Sequence, residues 1–225
     1  MNSILKNKQP IALVTQWVLL WLFLGAIHSY LLKPLWGLDG TNYLTTLYYI
    51  LSAALVLCLY RVKSLLPHHE DGLRQLVYMG LFTAVVIFLG HIANELRPIS
   101  IEQANYIKSE LFSFPLFKLN TWAVKWSDVA YQQVMLLVIL YRLSSLEISK
   151  KEMVWLTSIG FALLHFPLLM LFGWKGFYFI IPSIFAGFIF TYFILYMKRG
   201  LFYSYAVHIS FYLILGMWIR EAWTV

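Results

Sequence analysis

Long apolar runs, separated by short polar stretches, are the feature that most limits what this chain can fold into. A helix needs about 20 mainly apolar residues to cross the hydrocarbon core of a bilayer, and by that rule we predict about seven spans. They are Ile11–Leu32, Tyr43–Tyr60, Leu76–Asn94, Trp122–Leu143, Met153–Trp174, Phe177–Met197 and Leu201–Ile219. Such spans predict an all-α, polytopic membrane helix bundle, with residues 1–225 in a single transmembrane domain.

The composition agrees with a membrane protein and excludes other classes. Hydrophobic residues make up 61% of the chain and charged residues only 12%, whereas a soluble domain has about 25% charged residues. The net charge of +7 comes from lysines and arginines that flank the spans, so it predicts no nucleic-acid partner. The single cysteine, Cys58, excludes an intramolecular disulfide.

The loops indicate an orientation. Most lysines and arginines fall on the side of the amino terminus, which predicts that this terminus is cytoplasmic. The longest polar interval, Glu95 to Asn120, is expected to lie along the interface as an amphipathic segment.

Ionisable residues inside the apolar runs mark candidate sites, because such side chains are costly in a bilayer and usually face the bundle interior. His165 and His208 lie in runs that are otherwise fit for lipid. His28 is near the end of the first span, where an interfacial imidazole needs no special role. His91 and Glu95 share a helical face. This face could line a cavity, or it could be a helix end that meets water.

The fourth span holds an unusual polar group. Asp128, Tyr131 and Gln132 share one face by their spacing, and Gln133 is about 100° further round the helix. Amides commonly join helices in membranes by hydrogen bonds. Together with His165 and His208, these residues predict a polar, partly hydrated cavity formed by the fourth, fifth and seventh spans.

Three motifs occur in order on separate spans. They are Gln132-Gln133, Phe161-Ala-Leu-Leu-His165, and Ala206-Val-His208 preceded by Phe185-Ala-Gly187 and Gly200-Leu201. This arrangement resembles the CAAX protease and bacteriocin-processing (CPBP, or Abi) family of glutamic-type intramembrane proteases. The family pattern is Glu-Glu, then Phe-x-x-x-His, then His-x-x-x-Asn or Asp. The resemblance runs from Asp128 to Tyr212, within a family-like core at about 122–219. It implies an endopeptidase that acts on a membrane-associated peptide or protein.

The departures from the family pattern bear on activity. Gln132 and Gln133 stand where the family has its glutamates, Leu137 where many members have arginine, and Tyr212 where they have Asn or Asp. By resemblance, the glutamate and His165 would activate a water, and His208 with Tyr212 would hold the developing oxyanion. A carboxamide accepts no proton near neutral pH, and losing a general base costs about 10²- to 10⁴-fold in rate. The sequence therefore predicts an inactive or impaired protease, by engineering or by natural divergence.

Three alternatives stay open at this stage. Asp128 or Glu95 could supply a substitute carboxylate. The chain could instead be a non-catalytic pseudo-protease scaffold that binds a membrane partner or lipidated peptide. His165 and His208 could also hold a haem or a metal, although only Gly160 and Gly187 offer close approach.

The resemblance leads to three further expectations. We expect no cofactor and no metal. The partners would be the lipid bilayer and a membrane-embedded or lipidated peptide or protein. The protein would be integral to a membrane, the bacterial inner (plasma) membrane by resemblance.

Overall fold

The computed structural model describes residues 2–60, 72–110, 113–146 and 148–222, and the regular structure in these ranges is entirely helical. The predicted all-α class is therefore confirmed. The α-helices are α1 (Asn2–Ala26), α2 (Lys33–Trp36), α3 (Tyr43–Leu59), α4 (Gly72–Leu96), α5 (Ile101–Glu110), α6 (Leu119–Ser144), α7 (Lys150–His165), α8 (Pro167–Phe172), α9 (Phe177–Tyr196) and α10 (Gly200–Ala222). A π-helical segment, Ile27–Leu32, continues α1, and 3₁₀ turns occupy Phe114–Leu116 and Gly173–Gly176.

Several helices have the length and composition of membrane spans. Five stretches of the described chain qualify: Gln9–Trp36, Arg74–Leu96, Lys150–Met170, Phe177–Tyr196 and Gly200–Glu221. They support a membrane protein. The other two predicted spans correspond to α3, which is apolar but has only 17 residues, and to α6, which has 26 residues but carries charged and amide side chains. The count of seven stays a prediction.

Helix α6 occupies the centre of the bundle. It contacts α1, α3, α4, α7, α9 and α10, and its residues from Met135 to Leu140 are all buried. The Trp17 indole Nε1 donates a hydrogen bond to the Met135 carbonyl oxygen at 2.9 Å, which fixes α1 against it. Because neighbouring helices surround α6, its polar side chains are shielded from lipid.

Helix α7 begins and ends at clear local signals. A capping box between Ser149 and Glu152 begins the helix, which satisfies backbone N–H groups that have no partner inside it. Pro167 follows two residues after His165, and proline has no N–H to continue the hydrogen-bond series. His165 is therefore the last residue of α7. Helix α9 packs closely on α7, since a Cβ added at Gly187 would lie 2.9 Å from the Ser158 Cα.

The connection between α4 and α6 closes one end of the bundle. The buried Arg220 of α10 donates hydrogen bonds to Asn94 Oδ1 (3.2 Å), to the Pro115 carbonyl (3.3 Å) and to the Arg97 carbonyl. Residues 114–117 are buried, whereas Ile101 at the start of α5 is 81% exposed. Helix α5 thus begins at the surface, whereas the following turn is buried and bonded by Arg220. The interfacial position of this connection stays a prediction.

Candidate functional site

The candidate site is centred on the second glutamine of α6. Ser204 Oγ of α10 donates a hydrogen bond to Gln133 Oε1 at 2.7 Å, and Gln133 Nε2 lies 3.3 Å from His208 Nδ1. An amide nitrogen only donates, so Nδ1 accepts this bond and the proton of the neutral imidazole lies on Nε2. Gln133 is only 1% exposed, so both ends of a buried amide are satisfied by α10.

Aromatic rings fix the orientation of His208. Its ring lies 4.7 Å from the Phe190 ring of α9, centroid to centroid. On the other side it stacks on Tyr212 at 5.5 Å and an interplanar angle of 25°. Residues 208 and 212 are one turn apart on α10, as the sequence predicts. The imidazole is therefore held by two rings and by the Gln133 amide.

His165 has the opposite protonation pattern. Its Nδ1 lies 2.8 Å from the Phe161 carbonyl oxygen, one turn earlier on α7. A carbonyl oxygen only accepts, so Nδ1 donates and the neutral ring keeps a free lone pair on Nε2. His165 thus presents a proton acceptor, whereas His208 presents an N–H donor. Such a pair of histidines is suited to acid–base chemistry.

Both histidines line one cavity. The cavity, of about 190 Å³, lies between α7, α9 and α10, and its polar lining residues are His165, Ser183, His208 and Tyr212. The remaining lining residues are apolar, including Phe185 and Ile189. This differs from the polar cavity predicted between the fourth, fifth and seventh spans: α9 forms a wall and α6 does not. Gln133 of α6 is bonded to Ser204 and to His208 of α10, and of these three residues only His208 lines the cavity.

The first glutamine of α6 belongs to a second polar group. Gln132 Nε2 donates to Asp128 Oδ1 at 2.9 Å, and Lys125 Nζ donates to Asp128 Oδ2 at 2.8 Å. The Lys125 and Asp128 side chains are only 15% and 16% exposed. The ammonium also lies 4.3 Å from the centre of the Tyr212 ring, a cation–π contact. Asp128 is therefore close to Gln132, as its spacing predicts, but both of its oxygens are occupied.

The structure does not bring Glu95 to this group. Glu95 is exposed near the end of α4, next to Asn94, which binds Arg220. Arg220 is about 18 Å along α10 from His208 at 1.5 Å per residue. His91 is exposed as well, so this face of α4 meets the outside of the bundle.

His28 is half-buried and packs against α3. Its ring lies 5.2 Å from the Tyr48 ring and stacks on Tyr49 at 5.8 Å. Its interfacial position stays a prediction.

Two residues of the site were not singled out from the sequence. Ser204 precedes His208 by one turn, and Lys125 precedes Asp128 by three residues; both spacings place the pair on one helical face. A search for polar partners at these spacings would have found them. What the spacing does not give is the partner across helices, which is Gln133 for Ser204.

The metal alternative finds little support in the side chains. Among the described residues, no three His, Cys, Asp or Glu side chains are grouped to hold a metal ion. The two glycines considered for haem face elsewhere: a Cβ at Gly160 would meet Val14 and Trp17, and one at Gly187 would meet Ser158.

Comparison of the chain with models of known families, with curated proteins and with solved structures gave no match.

Proposed function

We propose that this chain is an intramembrane protease-type protein, similar to the CPBP family, whose site is inactive or nearly inactive as written. The observation that carries the proposal is the contact of Gln133 with His208 across α6 and α10. It joins a residue at a family glutamate position to a residue at a family histidine position. His165, at the histidine position of the second family motif, lines the same cavity as His208.

The proposed ancestral reaction is endopeptidase cleavage of a membrane-associated peptide or protein. The free Nε2 lone pair of His165 is suited to accept a proton, and the Nε2–H of His208 is suited to stabilise a developing oxyanion. A glutamate at position 132 or 133 would add the carboxylate that takes the first proton from water. With amides at both positions that step has no base, and the rate falls by about 10²- to 10⁴-fold.

The surroundings of Asp128 argue against a substitute carboxylate. One oxygen accepts from Lys125 and the other from Gln132. Accepting a proton would neutralise this carboxylate and leave the Lys125 ammonium without its ion-pair partner in a largely buried setting, which is costly. This supports an inactive chain over an enzyme with a relocated base.

A second candidate function is a non-catalytic scaffold. The observation that favours it is a fully bonded amide beside a mainly apolar cavity: Gln133 is bonded at both ends, and most of the cavity wall is apolar. Such a cavity is suited to an apolar segment of a membrane partner or lipidated peptide. Binding would then need no proton transfer.

The finer membrane assignment belongs to the same proposal. We take α3 and α6 as the two spans that complete seven, because α3 is apolar and α6 is surrounded by other helices. The basic residues in the loops support a cytoplasmic amino terminus. By the same resemblance, the membrane would be the bacterial inner membrane.

Cleavage in proteoliposomes tests the proposal. Three forms are compared: the chain as written, Gln132→Glu/Gln133→Glu, and the latter with His165→Ala. Membrane peptides serve as substrate, and new termini are read by mass spectrometry. We expect cleavage only by the double-glutamate form without the histidine change. If no form cuts although all three fold, protease descent is contradicted.

The scaffold candidate has its own control. His165→Ala in the chain as written should leave capture of membrane peptides largely unchanged, because no step of binding uses the Nε2 lone pair. A lysine at Val207, which lines the cavity, places a charge in the apolar wall and should abolish capture. Equal capture by the Val207→Lys and unaltered chains would contradict the scaffold.

A further inference from the structure

Among the buried polar atoms of the described residues that have no hydrogen-bond partner, three lie in the middle of α6 and in the π-helical segment that continues α1. They are Tyr131 Oη, Gln132 Oε1 and His28 Nε2. Tyr131 is 3% exposed and Gln132 is 7% exposed. Buried polar atoms nearly always bind protein or ordered water, and each exception needs an explanation.

Aromatic contacts connect these atoms into one region. The His28 ring stacks on Tyr49 at 5.8 Å, and the Tyr49 ring lies 5.8 Å from the Tyr131 ring. Gln132 follows Tyr131 on α6, and its Nε2 donates a hydrogen bond to Asp128 Oδ1 at 2.9 Å. The unpartnered atoms therefore belong to a single polar region bordered by α1, α3 and α6.

The backbone around His28 is also unusual. His28 lies in the π-helical segment Ile27–Leu32, and π-helical turns are rare and often occur at functional sites. The wider turn shifts His28 away from the position that a continuous α-helix would give it. It brings the imidazole onto Tyr48 and Tyr49 of α3.

We infer that His28, Tyr131 and Gln132 line a hydrated pocket, a binding site for ordered water between α1, α3 and α6. A buried water typically needs two to four polar partners, and a phenol, an imidazole nitrogen and an amide oxygen meet that need. The mainly apolar cavity between α7, α9 and α10 has none of these three residues in its lining. The inference goes beyond the proposed function, since it holds whether or not the chain cleaves peptides.

The fold indicates where water would enter. His28 follows the end of α1, Tyr49 is about 9 Å along α3 from its first residue, and Asp128 is about 14 Å along α6 from its first residue. The loop that contains Thr41, just before α3, is joined to α6 by a hydrogen bond of 2.8 Å from Asn120 Nδ2 to the Thr41 carbonyl. Water would thus reach Gln132 from the face where α1 ends and α3 and α6 begin.

X-ray hydroxyl-radical footprinting of the full chain in lipid nanodiscs tests the pocket. Radicals form from bound water, so a buried tyrosine beside water is oxidised faster than one in a dry core. Tyr205 is the matched control, because it is fully buried and its hydroxyl is paired with Thr83. We expect Tyr131 to be oxidised several-fold faster than Tyr205. Equally slow oxidation of the two tyrosines would overturn the inference.

A pair of variants tests the boundary of the pocket. His28→Leu replaces a polar wall by an apolar one and should lower the oxidation rate of Tyr131 toward that of Tyr205. The control is His91→Leu, the same change at an exposed histidine of α4, which should leave Tyr131 unchanged. If Tyr131 is oxidised at the same rate in both variants, His28 does not line the pocket. The readout needs no enzymatic activity, so its failure is distinguishable from failure of the cleavage experiment.

Discussion

Helices α6 and α9 differ in charge and in exposure: the charged helix, α6, is enclosed by other helices, and the uncharged helix, α9, has an exposed face. Helix α9 contains no charged residue and qualifies as a membrane span, yet it exposes Ile181, Phe185 and Tyr192. Helix α6 carries Lys125 and Asp128 and does not qualify, yet it contacts every other long helix. In such a bundle, therefore, high hydropathy indicates contact with lipid, whereas polar residues indicate the helix that other helices enclose.

The comparison extends to the site. Helix α9 contributes mainly apolar wall to the cavity, with Ser183 as its polar lining residue. Helix α6 contributes the hydrogen-bonded groups, Gln133 toward α10 and Asp128 with Lys125. We therefore expect substitutions on α6 to cost more free energy of unfolding than substitutions on α9.

The largest effect is expected when the buried ion pair of α6 is broken. Asp128→Leu leaves Lys125 charged and unpaired, which costs about 3 to 5 kcal/mol of unfolding free energy. The measurement is SDS-driven unfolding in mixed micelles, followed by tryptophan fluorescence. The double variant Lys125→Leu/Asp128→Leu is the control and should recover most of the loss. An Asp128→Leu protein as stable as the parent would contradict the central position of α6.

A smaller effect is expected at the amide that joins α6 to α10. Gln133→Leu keeps a similar volume but leaves the Ser204 hydroxyl and His208 Nδ1 without this partner. Unsatisfied buried polar groups cost about 1 to 3 kcal/mol. The same unfolding assay measures the loss, and adding Ser204→Ala should recover part of it. No loss in Gln133→Leu would show that the amide is not a structural link.

On α9, we expect a loss of unfolding free energy at one position only, where Gly187 lies close to α7. Gly187→Ala puts a Cβ 2.9 Å from the Ser158 Cα, and overpacking costs about 1 to 3 kcal/mol. Replacing a helical glycine returns about 1 kcal/mol, so a modest net loss remains. The matched control is Gly80→Ala on α4, where a Cβ meets nothing within 4 Å and the protein should gain stability. Equal effects at the two glycines would contradict the close packing of α7 and α9.

The smallest effect is expected on the exposed face of α9. Ile181 is 53% exposed, so Ile181→Ala should change the unfolding free energy by no more than about 0.5 kcal/mol. The unfolding midpoint in SDS checks this. A loss as large as that of Gln133→Leu would mean that this face is covered by protein.

Sequence patterns predicted the helices well because lipid imposes length and composition on each span. They also predicted which polar residues share a face of one helix, such as Asp128 with Gln132. The prediction named the fifth and seventh spans, α7 and α10, which do line the cavity, but named the fourth span in place of α9. Periodicity within one helix carries no information on its neighbours, so the contribution of Phe190 follows only from the position of α9 beside α7 and α10.

Glu95 and His28 are two further residues whose contacts the sequence pattern did not predict. Both lie near the end of an apolar run, so the sequence treats them alike. Arg220 anchors the end of α4 away from the site and leaves Glu95 exposed, whereas the π-helical segment turns His28 inward onto α3. The position of Glu95 depends on a tertiary contact, and that of His28 depends on an irregular helical segment. Neither feature produces a periodic pattern in the sequence.

A double-mutant cycle between Gln133 and His208 tests whether α6 and α10 are joined by this amide–histidine pair. The free energy of unfolding is measured for the parent, Gln133→Leu, His208→Leu and the double variant. Residues that share a hydrogen-bond network have coupling energies of about 0.5 to 3 kcal/mol, and we predict a value in that range. Strictly additive losses would contradict the claim and separate the glutamine pair from the histidine of α10.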